Sequence, residues 1–254
     1  MAEFKWPDGR RAAVTLTFDD GRPSQLEQGL PILDRYGVKA TFYVSLGNID
    51  ARLDDWRRVA AAGHEIGNHT FSHPCTGNFR WSRRPALESM TLDDMAADID
   101  RAQHEIEARL GVRPRTFAYP CGQTFVGRGR HRRSYVPLVA ERFVVGRGFL
   151  NEVENDPTFF DAAMAMGCDA DGLSWPQHKA MIHAAAETGG WLILAGHDIG
   201  ANGHQSITTD ALDALCAFCT DPANGIWIDT AATIGEYVRL QCPHLWESDD
   251  VPRR

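Results

Sequence analysis

No hydrophobic run in this 254-residue chain approaches the roughly 20 residues that a membrane span requires. The stretch from Met1 to Arg11 is polar and mixed in charge and has no apolar signal-peptide core, so a cytoplasmic, membrane-free protein is expected. Basic residues are in deficit. With 26 Lys and Arg against 34 Asp and Glu, the formal charge is −8, which argues against a nucleic-acid footprint. Linker-like composition and fixed-period repeats are both missing, so one domain is expected. The six cysteines (Cys75, Cys121, Cys168, Cys216, Cys219 and Cys242) form no spaced framework. Cys216 and Cys219 are a close pair without a second pair at zinc-ribbon spacing. Buried, reduced thiols are therefore the expected state of all six.

What the chain does contain is centred on Val14-Thr15-Leu16-Thr17-Phe18-Asp19-Asp20-Gly21. Val14, Leu16 and Phe18 alternate with threonines, the pattern of a strand, and Gly21 frees the backbone to turn. An isolated Asp-Asp-Gly also fits a solvated turn that caps a helix. A strand that ends in two carboxylates, however, is how parallel α/β folds present reactive groups, because their ligands bind at the carboxyl ends of the strands.

From Pro23 onward strand and helix alternate almost without a break. Helices are expected from Ser24 to Tyr36, Leu53 to Ala62, Thr91 to Leu110, Tyr135 to Phe143, Pro176 onward, Asp210 to Thr220 and Thr230 to Leu240. Strands are expected at 40–44, 64–68, 116–120, 143–145, 163–166, 191–195 and 226–228. Thr91 with Asp94 predicts a capped helix, and Met95, Ile99, Ala102, Ile106 and Leu110 supply its buried stripe. About seven such units fit a closed or nearly closed α/β barrel of mostly parallel strands. The expected barrel covers 1–242, followed by a polar tail at 243–254.

Two further strand ends carry chemistry. Gly67-Asn68-His69-Thr70-Phe71-Ser72-His73 places two histidines four apart, on one face if the segment is helical and within the spacing of zinc ligands. Trp191-Leu192-Ile193-Leu194-Ala195-Gly196-His197-Asp198 ends an apolar strand in His197. Each motif alone is as well explained by rim or capping histidines. All three strand ends face one rim of a parallel barrel, and His₂Asp suits a divalent metal with open positions.

Thr17-Phe18-Asp19-Asp20, His69 to His73 and Leu192 to His197 together resemble, in order and rough spacing, three motifs of the polysaccharide deacetylase family. This is the chitooligosaccharide-deacetylase-like group of carbohydrate esterases. The resemblance runs from about Ala12 to Arg239. It implies a distorted (β/α) barrel with seven or eight strands and metal-dependent removal of an acetyl group from an N- or O-acetylated sugar. It also implies Asp19 as general base, Asp20, His69 and His73 as metal ligands, and His197 as general acid. Zinc is the expected metal, with cobalt, nickel or manganese as alternatives. A backbone N–H at Cys121, beside Tyr119, is expected to face the developing oxyanion.

The chain departs from the family pattern at one place. Ala118 stands where many members carry an arginine that orients the base, and the partner of Asp19 is unassigned. The segment from Asp169 to Trp175 faintly echoes a motif that supports the catalytic histidine, with Trp175 as its expected residue. Two irregular stretches, Pro74 to Ser89 and an apparently mobile Gly127 to Arg133, are expected to shape specificity. Trp81 could stack on a sugar ring. Arg80, Arg83, Arg84, Arg128, Arg130, Arg132 and Arg133 could favour an anionic substrate, or equally be solvated. A small or cyclic amide, as in the allantoinase-like branch, and a non-catalytic sugar- or metal-binding role remain the alternative readings.

Overall fold

The structure, a computed structural model, describes residues 4–200 and 203–246. Eight strands make the main sheet: β1 (Ala12–Asp20), β2 (Thr41–Val44), β3 (Glu65–Asn68), β4 (Thr116–Ala118), β5 (Val145–Arg147), β6 (Cys168–Asp169), β7 (Trp191–Gly196) and β8 (Ile226–Ile228). Their order is β5-β4-β3-β2-β1-β7-β6, with β8 also paired to β1, and every pairing is parallel. The sheet curls into a half-barrel within a single domain. Isolated bridges from Arg147 to Ala165 and from Asn151 to Cys168 span much of the gap between β5 and β6. All carboxyl ends therefore open on one rim.

β1 is buried on both faces, as parallel strands covered by helices are. Val14, Leu16 and Phe18 enter one apolar cluster with Phe42, Val44 and Leu194, under helices Leu30–Tyr36 and Thr209–Thr220. Ala13 belongs to a second cluster with Val145, Trp191, Ile193 and Ile234. Thr17 donates to Leu194 O at 2.9 Å and Thr15 accepts from Trp191 Nε1 at 2.9 Å, so both buried hydroxyls are satisfied. Asp19 continues this threonine side of the strand by period two.

The helix Leu92–Leu110 forms as its sequence predicts. Thr91 and Asp94 make a capping box, Gly111 closes it at φ 70°, and the expected stripe is buried. Other elements differ. The helix after Pro23 begins as a single π turn, Gln25–Gly29, before Leu30–Tyr36. The Tyr135 helix shortens to Val136–Ala140, and 163–166 is largely a 3₁₀ turn, Ala162–Met164, rather than a strand. Gly127 to Arg133 is ordered: Phe125–Val126 pairs antiparallel with Arg133–Ser134 around a 3₁₀ turn, and Arg132 lies 3.4 Å from the Phe125 ring. Of the expected tail, Trp246 bonds Val144 O at 2.7 Å, and 247–254 lie outside the described residues. Among the described residues no helix is long and apolar enough to cross a membrane.

Candidate active site

Asp20, His69 and His73 converge at the open rim. Their ligand atoms lie within 4.8 Å of one another, forming one metal-capable cluster among the described residues. The histidine segment is not helical. It is a compact loop in which Thr70 and His73 take φ of 65° and 49°. Asn68 Oδ1 accepts from Thr70 N, Asp98 Oδ2 accepts from the amides of Phe71 and Ser72, and Thr70 Oγ1 accepts from His73 N. This web turns the two rings toward each other, 4.8 Å apart.

The donor set fits a divalent cation. His69 Nδ1 bonds Ala118 O at 2.9 Å; a carbonyl only accepts, so Nδ1 carries a proton and Nε2 is the nitrogen left to offer a lone pair to a cation. Asp20 Oδ1 lies 3.9 Å from His69 Nε2 and 3.8 Å from His73 Nε2. Its other oxygen accepts from Arg22 Nε and Nη2 at 3.1 and 3.0 Å. Burial and the neighbouring His69 lower the basicity of His73, leaving it neutral as a ligand must be.

Asp19 is 4% exposed, and Arg147 Nη2 donates to its Oδ1 at 2.5 Å. Burial alone would raise its pKa. The Arg147 guanidinium, with His69 and His197, overrides burial and holds it at about 2. Arg147 is fully buried on β5 and is the register partner of Ala118 on β4. The arginine missing at Ala118 thus enters from the adjacent strand. Gly167 makes its path possible, since a Cβ there would lie 2.7 Å from Arg147 Cδ.

His197 Nδ1 and Asp171 Oδ2 are 2.6 Å apart, and the other Asp171 oxygen accepts from His197 N at 3.1 Å. Burial opposes charge on the ring, but the Asp171 hydrogen bond and the charges of Asp19, Asp171 and Asp20 together outweigh it, and the pKa lies above the ordinary value. The segment around Asp169 does support the histidine, though through Asp171. Trp175 is elsewhere: it packs on Phe218 at a groove of about 590 Å³ outside the site. Tyr119 is also displaced, with a fully buried ring and a hydroxyl that donates to Ala163 O at 2.6 Å.

The rim cleft measures about 550 Å³, and Asp19, Asp20, His69, His73 and His197 all line it. Trp81, stacked on Phe79 at 5.3 Å and 6.0 Å from the His73 ring, forms one wall. Phe149, edge-on to His197 at 5.4 Å, and Leu150 form another. Cys121 lines the cleft too, but as a half-cystine joined to Cys75, contrary to the expected reduced thiols. The other four cysteines are buried and free. None of the seven loop arginines lines the cleft; the arginine that does, Arg22, is engaged by Asp20, Asp198 and Gln205.

A curled parallel sheet bearing this Asp/His/His cluster at its carboxyl rim defines a distorted (β/α)-barrel protein with a candidate divalent-metal centre. Residues 7–128 match the family model for polysaccharide deacetylase. The chain is 33% identical over 116 residues to a peptidoglycan-N-acetylglucosamine deacetylase of Bacillus cereus, covering 44% of this chain and 38% of the relative. A chitooligosaccharide deacetylase of Rhizobium leguminosarum bv. trifolii is 47% identical over 62 residues, covering 24% and 29%. The chain thus spans well under half the length of these curated relatives. A solved structure from Mycobacterium smegmatis, described as a polysaccharide deacetylase, shares the fold with TM-score 0.68 at 21% identity, covering 95% of this chain and 94% of that one.

Proposed function

We propose that this protein is a metal-dependent deacetylase that hydrolyses an acetyl group from an acetylated saccharide. One observation carries the reading. The Asp19–Arg147 and His197–Asp171 pairs open onto the same cleft as the Asp20, His69 and His73 cluster. Binding alone would not require an ionised carboxylate and a supported imidazole beside the ligands. The relatives named for peptidoglycan and chitooligosaccharide deacetylation support the substrate class.

Asp20, His69 and His73 would hold the cation, for which zinc is the first candidate given two imidazoles and one carboxylate. When bound, it supplies the positive charge that polarises an acetyl carbonyl and makes water a stronger nucleophile. Asp19, ionised and fixed at Oδ1 by Arg147, accepts the water proton at Oδ2. His197, held at Nδ1 by Asp171, delivers a proton from Nε2 to the leaving amine or alkoxide. The backbone N–H of Cys121 faces the oxyanion in this reading. Trp81 offers its ring face to a neighbouring sugar.

The reading is tested with zinc-reconstituted protein and a panel of N-acetylated oligosaccharides, acetylated xylan and cyclic amides. Acetate release from the saccharides is expected. Ring opening of a cyclic amide without acetate release would replace the substrate class, and no turnover with full zinc occupancy would leave a binding protein.

A further inference from the structure

β1 and β7 pair from Ala13 and Trp191 up to Phe18 and Gly196, and the ladder stops one residue short of Asp19 and His197. The strands part there to open the cleft. At this point a side chain takes over from the sheet. Gln25 Nε2 donates to Asp19 O at 2.6 Å and to His197 O at 2.8 Å. Both acceptors are carbonyl oxygens, so only the amide nitrogen can face them. Gln25 is fully buried, and its Oε1 has no partner. The amide is therefore placed for its two donated bonds alone.

We propose that Gln25 is a positioning residue that sets Asp19 and His197 in register across the open end of the β1–β7 pair. The inference rests on the deacetylase reading, in which Asp19 takes a proton from water and His197 gives one to the leaving group. Neighbouring contacts strengthen the same grip. Ser24 Oγ donates to Asp198 Oδ1 at 2.6 Å and accepts from Ile199 N at 3.1 Å. Gln25 opens the π turn, an irregularity frequent at functional sites. At the far end of that turn, a Cβ on Gly29 would sit 2.4 Å from Ile199 Cδ1. The turn and the segment after His197 thus pack in direct contact.

Gln25→Met keeps the length of the side chain and removes both donors. In the zinc-loaded enzyme it is expected to lower kcat by on the order of 10²-fold, with KM and zinc content within about twofold of wild type. Hydrogen exchange should accelerate over 197–200 and remain unchanged in the cores of β1 and β7. Should Gln25→Met not fold, Gly29→Ala tests the same contact, because its methyl must displace Ile199; the same split of kcat from KM is expected. A kcat within about twofold of wild type would overturn the proposal, as would a fall in kcat, zinc content and Tm together, which marks a merely structural residue. If wild-type protein releases no acetate, the functional reading fails separately, and the exchange measurement decides alone: unchanged rates over 197–200 overturn the positioning role.

Discussion

Replacing Arg147 by Met removes a fully buried guanidinium from a fully ionised neighbour. The gap between the ordinary 3.8 and about 2 for Asp19, at about 1.4 kcal/mol per pH unit, stabilises the folded wild type by roughly 2–3 kcal/mol. That contribution is fully present above pH 3.8 and is lost as pH falls through about 2. Without Arg147, only His69 and His197 oppose burial, the largest single influence on the group, and the carboxyl is expected to rise above its unfolded value, so the sign reverses. The variant is then penalised at neutral pH, where a buried carboxylate lacks its partner, by about 3–5 kcal/mol. The penalty fades as pH falls through that raised value, where Asp19 takes up a proton, and is gone near pH 3.8. Urea unfolding of metal-free wild type and Arg147→Met between pH 3 and 8 reads this directly. A second variant, Ala118→Arg with Arg147→Ala, moves the guanidinium one strand over, about 4.8 Å, to the register partner. It is expected to recover much of the deficit at pH 7. A deficit that does not depend on pH, or no deficit at all, would refute the electrostatic pairing.

Asp171→Asn should retain zinc and lose turnover by on the order of 10²-fold or more, because the imidazole loses the carboxylate that holds its tautomer; unchanged kcat would separate Asp171 from catalysis. His64, buried with its pKa pushed down to about 4 by burial and by Lys39, stabilises the fold above pH 6.5, and this is lost as pH falls toward 4. His64→Leu should flatten that acid-side loss, worth up to ~3 kcal/mol, in urea midpoints measured against pH; an unchanged slope would count against it. Thiol titration of denatured, unreduced protein should find four free cysteines, and six after reduction. Six without reduction would show that Cys75 and Cys121 are not joined.

Asp19, Asp20 and His197 were legible because each follows a long, strongly patterned apolar strand, and His69 and His73 because their spacing suits metal ligands; parallel topology sends all of these strand ends to one rim. Arg147 follows the same rule, yet its strand is three residues long and gives no period. Its role also depends on β5 lying beside β4, which sheet order decides and local sequence does not. Asp171 sits in a segment that sequence reasoning singled out, but the aromatic residue drew attention from the carboxylate four positions earlier. The Cys75–Cys121 bridge, 46 residues apart, needs both rim loops in place before it can be seen. Gly127 to Arg133 was read as mobile from its Arg and Gly content. Its order comes from tertiary contacts, including Gly127 N to Leu87 O at 2.8 Å.

The most direct test of the central claim is a paired assay of Asp19→Asn for zinc content and for acetate release from an N-acetylated oligosaccharide. The account predicts zinc occupancy equal to wild type, since Asp20, His69 and His73 are untouched, with turnover reduced by about 10²–10⁴-fold. Near-normal acetate release at full zinc occupancy and an intact fold would contradict it.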